Sequence, residues 1–304
     1  MRILGAIVAV CFTAMIAIFT FSFINRSFFD PHQSPMSPHI AVLDISGVIY
    51  SSNAFIKEIG AVEHNKQSKA LVLRINSPGG LVGPSQEMYE AIKSLDQKIP
   101  VIVSMGSLAA SGGYYAALGG RKIFANPGTL TASIGVIMEM MNTERLLEWA
   151  KVERFAIKAG KLKDVGSPTR KMLPEEKNFL QNLLNDVHSQ FRAAVKERRK
   201  LSNEEIEQFT DGRVMTGAQA KQANLVDALG GYQEAVREAK KLAKLPDSAP
   251  VIVKEPKRGL LKNLLLGDVD EESRWDNLLN SLGIGLSAFF SHTQWRILYL
   301  SPIQ

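Results

Sequence analysis

Val101-Ile102-Val103-Ser104-Met105-Gly106-Ser107-Leu108-Ala109-Ala110-Ser111-Gly112-Gly113-Tyr114-Tyr115-Ala116-Ala117 is the stretch on which the fold turns. Its β-branched opening, Val101–Ser104, predicts a buried strand, the small residues after it a tight turn, and the residues from Gly112 onward a helix start. A strand running into a helix puts one side chain at the helix N-terminus. There, free N–H groups and the positive dipole end favour a developing anion. Ser111 holds that place. The glycines behind it allow close backbone approach, which makes the Gly112 N–H a candidate oxyanion donor. Two readings are open from this stretch alone: Ser111 as a nucleophile, or Ser111 as the N-cap of a tightly packed helix.

Working outward, Ile40–Ile45, Ala70–Ile75 and Lys122–Ala125 read as further strands and Pro84–Leu95 as a helix. This alternation predicts an α/β architecture with crossover connections. Pro174–Arg199 predicts a long amphipathic helix, with Pro174 near its first turn and Phe179, Leu183, Leu184, Val187, Phe191, Ala194 and Val195 at helical spacing. His188 lies on a face of that helix. A second Gly-rich turn, Asn76-Ser77-Pro78-Gly79-Gly80, follows the strand at Ala70–Ile75 and exposes successive N–H groups, the arrangement of an oxyanion donor. Ligand sites in open α/β sheets gather at the carboxyl ends of strands, so two such turns inform more than one.

A serine nucleophile needs a base. His32 and His39 flank a Pro-rich spacer, His64 reads as part of a polar loop, His188 is on the long helix and His292 is in the tail. None is in a Gly-rich or strand-end setting, which argues against a Ser-His-Asp triad. Lysine can take the role when burial or positive surroundings leave it partly neutral. Lys158, Lys161 and Lys163, in Lys158-Ala159-Gly160-Lys161-Leu162-Lys163-Asp164, are the candidates, and surface solvation is the plain reading of each.

Hydrophobic residues at 45% and charged residues at 22% place most of the chain among water-soluble globular domains. The net charge of +6 is dispersed except at Lys196–Lys200, which solvates a helix end; no nucleic-acid partner is expected. Cys11 is the only cysteine, so neither an intrachain disulfide nor a Cys-based metal site can form. Ile3–Ile24 carries no charge and is long enough to cross a hydrocarbon core, and no small-residue cleavage pattern follows it. The expected organisation is a transmembrane anchor over 1–26, a Pro/Ser-rich spacer over 27–38, a catalytic domain over 39–255 and an amphipathic tail over 256–304.

Four ordered motifs carry a resemblance: Asn76–Gly80, Met105–Tyr115, Thr131-Ala132-Ser133-Ile134-Gly135-Val136 and Gly160–Arg170. Together with Asp211-Gly212-Arg213-Val214-Met215-Thr216-Gly217 they resemble the signal peptide peptidase A family over roughly Ile40 to Leu245. The resemblance implies a fold like the Clp protease and crotonase superfamily, and peptide-bond hydrolysis by a Ser/Lys dyad with no metal or cofactor. Ser111 matches the nucleophile and Lys163, in the Lys-Asp pair, the base. Ser133 matches the serine that orients the lysine, and Gly79 and Gly112 match the oxyanion donors. Ala132 and Asn224 stand where glycine is common; Asn tolerates the left-handed region. The same resemblance implies remnant signal peptides as substrates, a homo-oligomer, and a single-pass protein of the inner or cytoplasmic membrane with its catalytic domain extracytoplasmic, in the periplasm. A crotonase-type acyl-CoA enzyme and a non-catalytic membrane scaffold are the alternatives. The Ser111 setting and the anchor speak against the first, and an active-site serine probe tests the second.

Overall fold

The computed structural model describes residues 37–253 and 298–300. In chain order its elements are β1 (His39–Ser46), α1 (Asn53–His64), β2 (Ser68–Ser77), β3 (Gly79–Leu81), α2 (Val82–Asp96), β4 (Val101–Ala110), α3 (Gly112–Ala117), β5 (Lys122–Ala125) and β6 (Leu130–Ala132). These are followed by α4 (Glu144–Trp149), α5 (Pro174–Arg199), α6 (Asn203–Glu207), β7 (Val214–Thr216), α7 (Gly217–Gln222), β8 (Ala228–Leu229), α8 (Tyr232–Leu242), β9 (Val251–Val253) and β10 (Leu298–Leu300).

Strands β9, β1, β2 and β4 lie side by side and parallel, with α1 connecting β1 to β2 and α2 lying between β2 and β4 in sequence. Such strands are covered on both faces and are apolar on both, as parallel pairing requires. Alternate residues divide between two cores. Ala41, Leu43, Ile45, Leu71, Leu73, Ile75, Val101, Val103 and Met105 pack with α1, α2, α3 and α5, whereas Ile40, Val42, Ala70, Val72 and Ile102 pack against Ala235, Val236 and Ala239 of α8. Full burial of each Leu or Ile stabilises by roughly 1.5–3 kcal/mol, so the central strands anchor everything attached to their ends.

Strand β4 forks. Its first half, Ile102–Ser104, pairs with β5, and its last residues, Leu108–Ala110, pair with β6. The strand thus runs six residues beyond the Val101–Ser104 expected from β-branching, and the tight turn shrinks to Ser111 alone. Small buried side chains are what admit β6 alongside. The long helix spans Pro174–Arg199 as expected. Of its predicted apolar stripe, Val187, Phe191, Ala194 and Val195 enter the core, but Phe179 and Leu183 are exposed, and in that half of the helix Leu180 is the buried apolar residue instead. His64 closes α1 rather than lying in a loop.

The expected anchor and nearly all of the spacer and tail lie outside the described residues. Among the described residues, no helix is long and apolar enough to cross a membrane. Of the tail, β10 is described: it pairs antiparallel with β3, Leu298 opposite Leu81 and Leu300 opposite Gly79.

Candidate active site

The elbow at Ser111 is built from both ends. Strand β4 delivers Ala110, α3 begins at Gly112, and Ser111 between them adopts φ 53° and ψ −119°. A non-glycine residue there costs of order 1–3 kcal/mol, and such strain persists only where its surroundings over-determine it. They do. The Ser111 N–H donates to the Ala132 carbonyl at 2.8 Å, and the Ser111 carbonyl accepts from the Tyr115 N–H at 2.8 Å. Gly113 lies so close to the next strand that a Cβ would stand 2.9 Å from the Ser77 carbonyl oxygen, which brings the Asn76–Gly80 turn against the start of α3. Ser111 is wholly buried, and its Oγ has no hydrogen-bond partner among the described residues. A buried hydroxyl on a strained strand-to-helix turn is the arrangement a nucleophile elbow has. The N-cap reading fails directly, since the side chain makes no cap bond.

The Asn76–Gly80 turn is itself pinned. Asn76 Oδ1 accepts from the Leu108 N–H at 3.2 Å, Ser77 Oγ donates to the Gly47 carbonyl at 2.6 Å, and the Gly79 N–H donates to Ser77 Oγ at 3.1 Å. Gly79 has φ +103°, a conformation L side chains rarely adopt. Gly112 opens α3, so its N–H is a first-turn donor with no intrahelical acceptor. Both predicted oxyanion residues therefore border the elbow, with the Gly79 N–H held by Ser77 in this state.

Ser133 lies on the third side. Ala132 (φ 63°) and Ser133 (φ 52°) are consecutive left-handed residues, and Ser133 is buried with its N–H donating to the Arg213 carbonyl at 2.9 Å. The glycine common at position 132 in the resemblance is explained by that φ; here Ala132 bears the strain. Asn224 likewise sits at φ 56°. His188 was read from the sequence only as a helix-face residue. Its half-buried ring stands 3.2 Å from the Ile134 carbonyl through Nε2, so α5 supports the loop that carries Ser133.

Lys163 is exposed, on a segment of turns between α4 and α5. Because Ser111 Oγ has no partner among the described residues, the two predicted dyad members, both described, are not hydrogen-bonded to each other within one chain. The segment before Lys163 exposes Met140, Met141, Leu146, Trp149, Val152, Phe155 and Ile157. Beyond Lys163 the loop is tied down by ions. Arg170 bonds both Asp164 and Glu176, and it holds each carboxyl down to about 2. A depressed carboxylate stabilises the fold fully above its ordinary titration range, and that contribution is lost as pH falls toward the lowered value. The melting temperature is therefore expected to drop between about pH 4 and pH 2 in the native chain and to drop less in Arg170→Met. Calorimetry across that range checks this, and parallel curves would refute it.

Comparison with known proteins places the chain. The family model described as Peptidase family S49 matches residues 93–246, and that described as Clp protease matches residues 43–133. A Synechocystis protein provisionally named a protease is 42% identical over 251 residues, covering 82% of this chain and 90% of its own. An Enterococcus faecium protein provisionally named signal peptide peptidase SppA is 34% identical, covering 75% of this chain and 66% of its own. The Arabidopsis thaliana chloroplastic serine protease SPPA is 34% identical over 71% of this chain and 32% of its own.

Proposed function

The chain belongs to peptidase family S49, the signal peptide peptidase A family, and is a serine protease; from that premise we propose that Ser111 and Lys163 form its catalytic dyad. The observation that carries this reading is the elbow: a buried, unpaired Ser111 Oγ held at positive φ between two glycine turns. Neutral Lys163 takes the Ser111 proton as Oγ attacks a peptide carbonyl. The carbonyl electron pair moves onto oxygen, where the Gly79 and Gly112 N–H groups receive it. As the tetrahedral intermediate collapses, the lysine ammonium gives its proton to the departing amine. Water then attacks the acyl carbonyl as the lysine accepts its proton; the C–Oγ bond breaks, the ammonium returns that proton to Ser111 Oγ, and the acyl group leaves as a carboxylic acid. Ser133 orients the lysine between these transfers.

Lys163 reaches Ser111 from a neighbouring copy of the chain. Two observations support this: the exposed lysine and the unpaired serine of one chain do not meet, and the segment leading to Lys163 exposes a run of large apolar side chains. Monomers rarely leave such patches open, and closed homo-oligomers bury them. The apolar Ile3–Ile24 span supports a single-pass anchor in the cytoplasmic membrane, with the catalytic domain on the extracytoplasmic side. Remnant signal peptides and similar extended hydrophobic segments are the substrates of this reading. The edge of β3 suits them, because it already pairs with one extended segment, β10.

Two measurements test the assignment. Digestion of a panel of peptides with product mapping is expected to give cuts within unstructured apolar segments and none in folded proteins; cleavage indifferent to apolarity would count against it. Reporter fusions after Gln304 are expected to read extracytoplasmic, and a cytoplasmic signal would overturn the topology.

A further inference from the structure

The loop that carries Lys163 is itself neither helix nor strand. Its own bonds are single turns: the Lys163 N–H to the Gly160 carbonyl at 3.2 Å, Val165 N–H to Leu162 at 3.2 Å and Ser167 N–H to Asp164 at 3.1 Å. Turns of this kind fray readily when nothing else ties them. Several bonds tie this one: Lys161 pairs with Glu175 of α5 at 2.6 Å where both are largely exposed, and the Thr143 N–H donates to the Pro168 carbonyl at 2.6 Å, but Arg170 is the tie that grips the residue beside Lys163 and reaches a buried partner. A guanidinium has five N–H donors in a planar fork, and every one is used here. Nε donates to Asp164 Oδ2 at 3.0 Å. One terminal nitrogen, Nη1, donates to the Lys171 carbonyl at 3.0 Å and to Glu176 Oε2 at 2.8 Å. The other, Nη2, donates to the Asp164 carbonyl at 3.0 Å and to Glu176 Oε1 at 2.6 Å.

The residue after Lys163 is thus gripped twice, at its side chain and at its backbone carbonyl. The other end of the grip is fixed. Glu176 is 1% exposed, lies in the first turn of α5 and also accepts from the Leu173 N–H at 2.9 Å. Helix α5 runs on into the core through Val187, Phe191 and Val195 and supports the Ser133 loop through His188. A buried carboxylate is tolerated only when paired, and a bidentate guanidinium is the partner that satisfies it. Lys158 adds a second cation on Asp164 Oδ1, so that carboxylate is committed to structure and unavailable as a proton acceptor for Lys163.

We propose that Arg170 is the positioning residue for the base: by clamping Asp164 to Glu176 it fixes the turn from which Lys163 projects against the rigid α5. The proposal rests on the reading of Lys163 as the base, and it separates the clamp from the chemistry. Arg170 touches no reacting atom; it sets where the lysine stands.

The test uses the full assembled chain and a fluorogenic peptide. Arg170→Met combined with Glu176→Leu removes the clamp without leaving a buried charge unpaired, so the melting temperature is expected to stay within a few degrees of native. Its kcat is expected to fall about 10- to 100-fold with KM within about twofold, since misplacing a catalytic group by roughly an ångström costs on that order. Arg170→Lys keeps the charge but cannot span the carbonyl and both carboxylates, and is expected to lose kcat in the same way even if the paired variant fails to fold. In a Lys163→Ala background the paired change is expected to lower the residual rate no further, because there is no base left to position. Native kcat in a folded paired variant or in Arg170→Lys overturns the proposal, as does a further loss on top of Lys163→Ala. If Lys163→Ala itself keeps native turnover, the dyad reading falls and the clamp falls with it. If Lys163→Ala is inactive while the clamp variants turn over normally, the clamp alone is wrong.

Discussion

Lys163→Ala is expected to lower kcat by about a thousandfold or more while leaving folding and assembly intact, since loss of one member of a nucleophile–base pair typically removes most of what the pair supplies. Lysine in water titrates near about 10.4, so a base at neutral pH has to be stripped of solvent or placed beside other positive charge. Lys163 of a single chain is exposed, and in the proposed assembly it is burial against Ser111 of the next copy that strips it of solvent. The rate in native enzyme is accordingly expected to rise from mildly acid to mildly alkaline pH along one deprotonation. Lys163→Arg should not restore it, because a guanidinium keeps its proton. Lys161→Ala is the control. Lys161 pairs with Glu175 at 2.6 Å where both side chains are largely exposed, and surface pairs of this kind contribute little. If Lys161→Ala were inactive and Lys163→Ala active, the base would be assigned to the wrong lysine.

Ser111→Ala is expected to be as inactive as Lys163→Ala, yet the two inactive chains are expected to recover activity when co-assembled. A site built from one copy's serine and its neighbour's lysine is complete wherever a Lys163→Ala chain donates Ser111 to a Ser111→Ala chain's Lys163. In a closed ring of randomly mixed chains that occurs at about a quarter of the sites. A dyad closed within one chain would give no recovery, because every chain then lacks one member. Activity of co-expressed, differently tagged variants purified as mixed oligomers decides between these outcomes.

How much of this was legible from residues depends on what held each feature. The strand at Val101–Ser104 is written in β-branched side chains, and the helix at Pro174–Arg199 in its period and its proline start. The continuation of β4 to Ala110 is not, since Ala109 and Ala110 lie in a strand only because β2 and β6 pair with them, while Gly106 and Ser107 span an irregularity in the pairing with β2. Ser111 was legible as a strand-to-helix junction, but not its strain. Positive φ at Ser111, Ala132 and Ser133 is accompanied by bonds to Ala132, Tyr115 and Arg213, partners up to 80 residues from the residue they hold, which leave no local pattern. Phe179 and Leu183 show the opposite failure: their spacing predicts a core face, but a stripe reports only that something covers it, not that the cover belongs to the same chain. Lys163 could not be told from Lys158 or Lys161 by composition; the family motif singled it out. Arg170 stood in that motif without a role until Glu176 was placed beside it.

The most direct test of the central claim is labelling of the assembled native chain with a fluorophosphonate, followed by mapping of the modified peptide. The dyad predicts one adduct, on Ser111, that is absent in Ser111→Ala and forms far more slowly in Lys163→Ala. An adduct on another serine, or peptide hydrolysis that proceeds while Ser111 stays unlabelled, would contradict it.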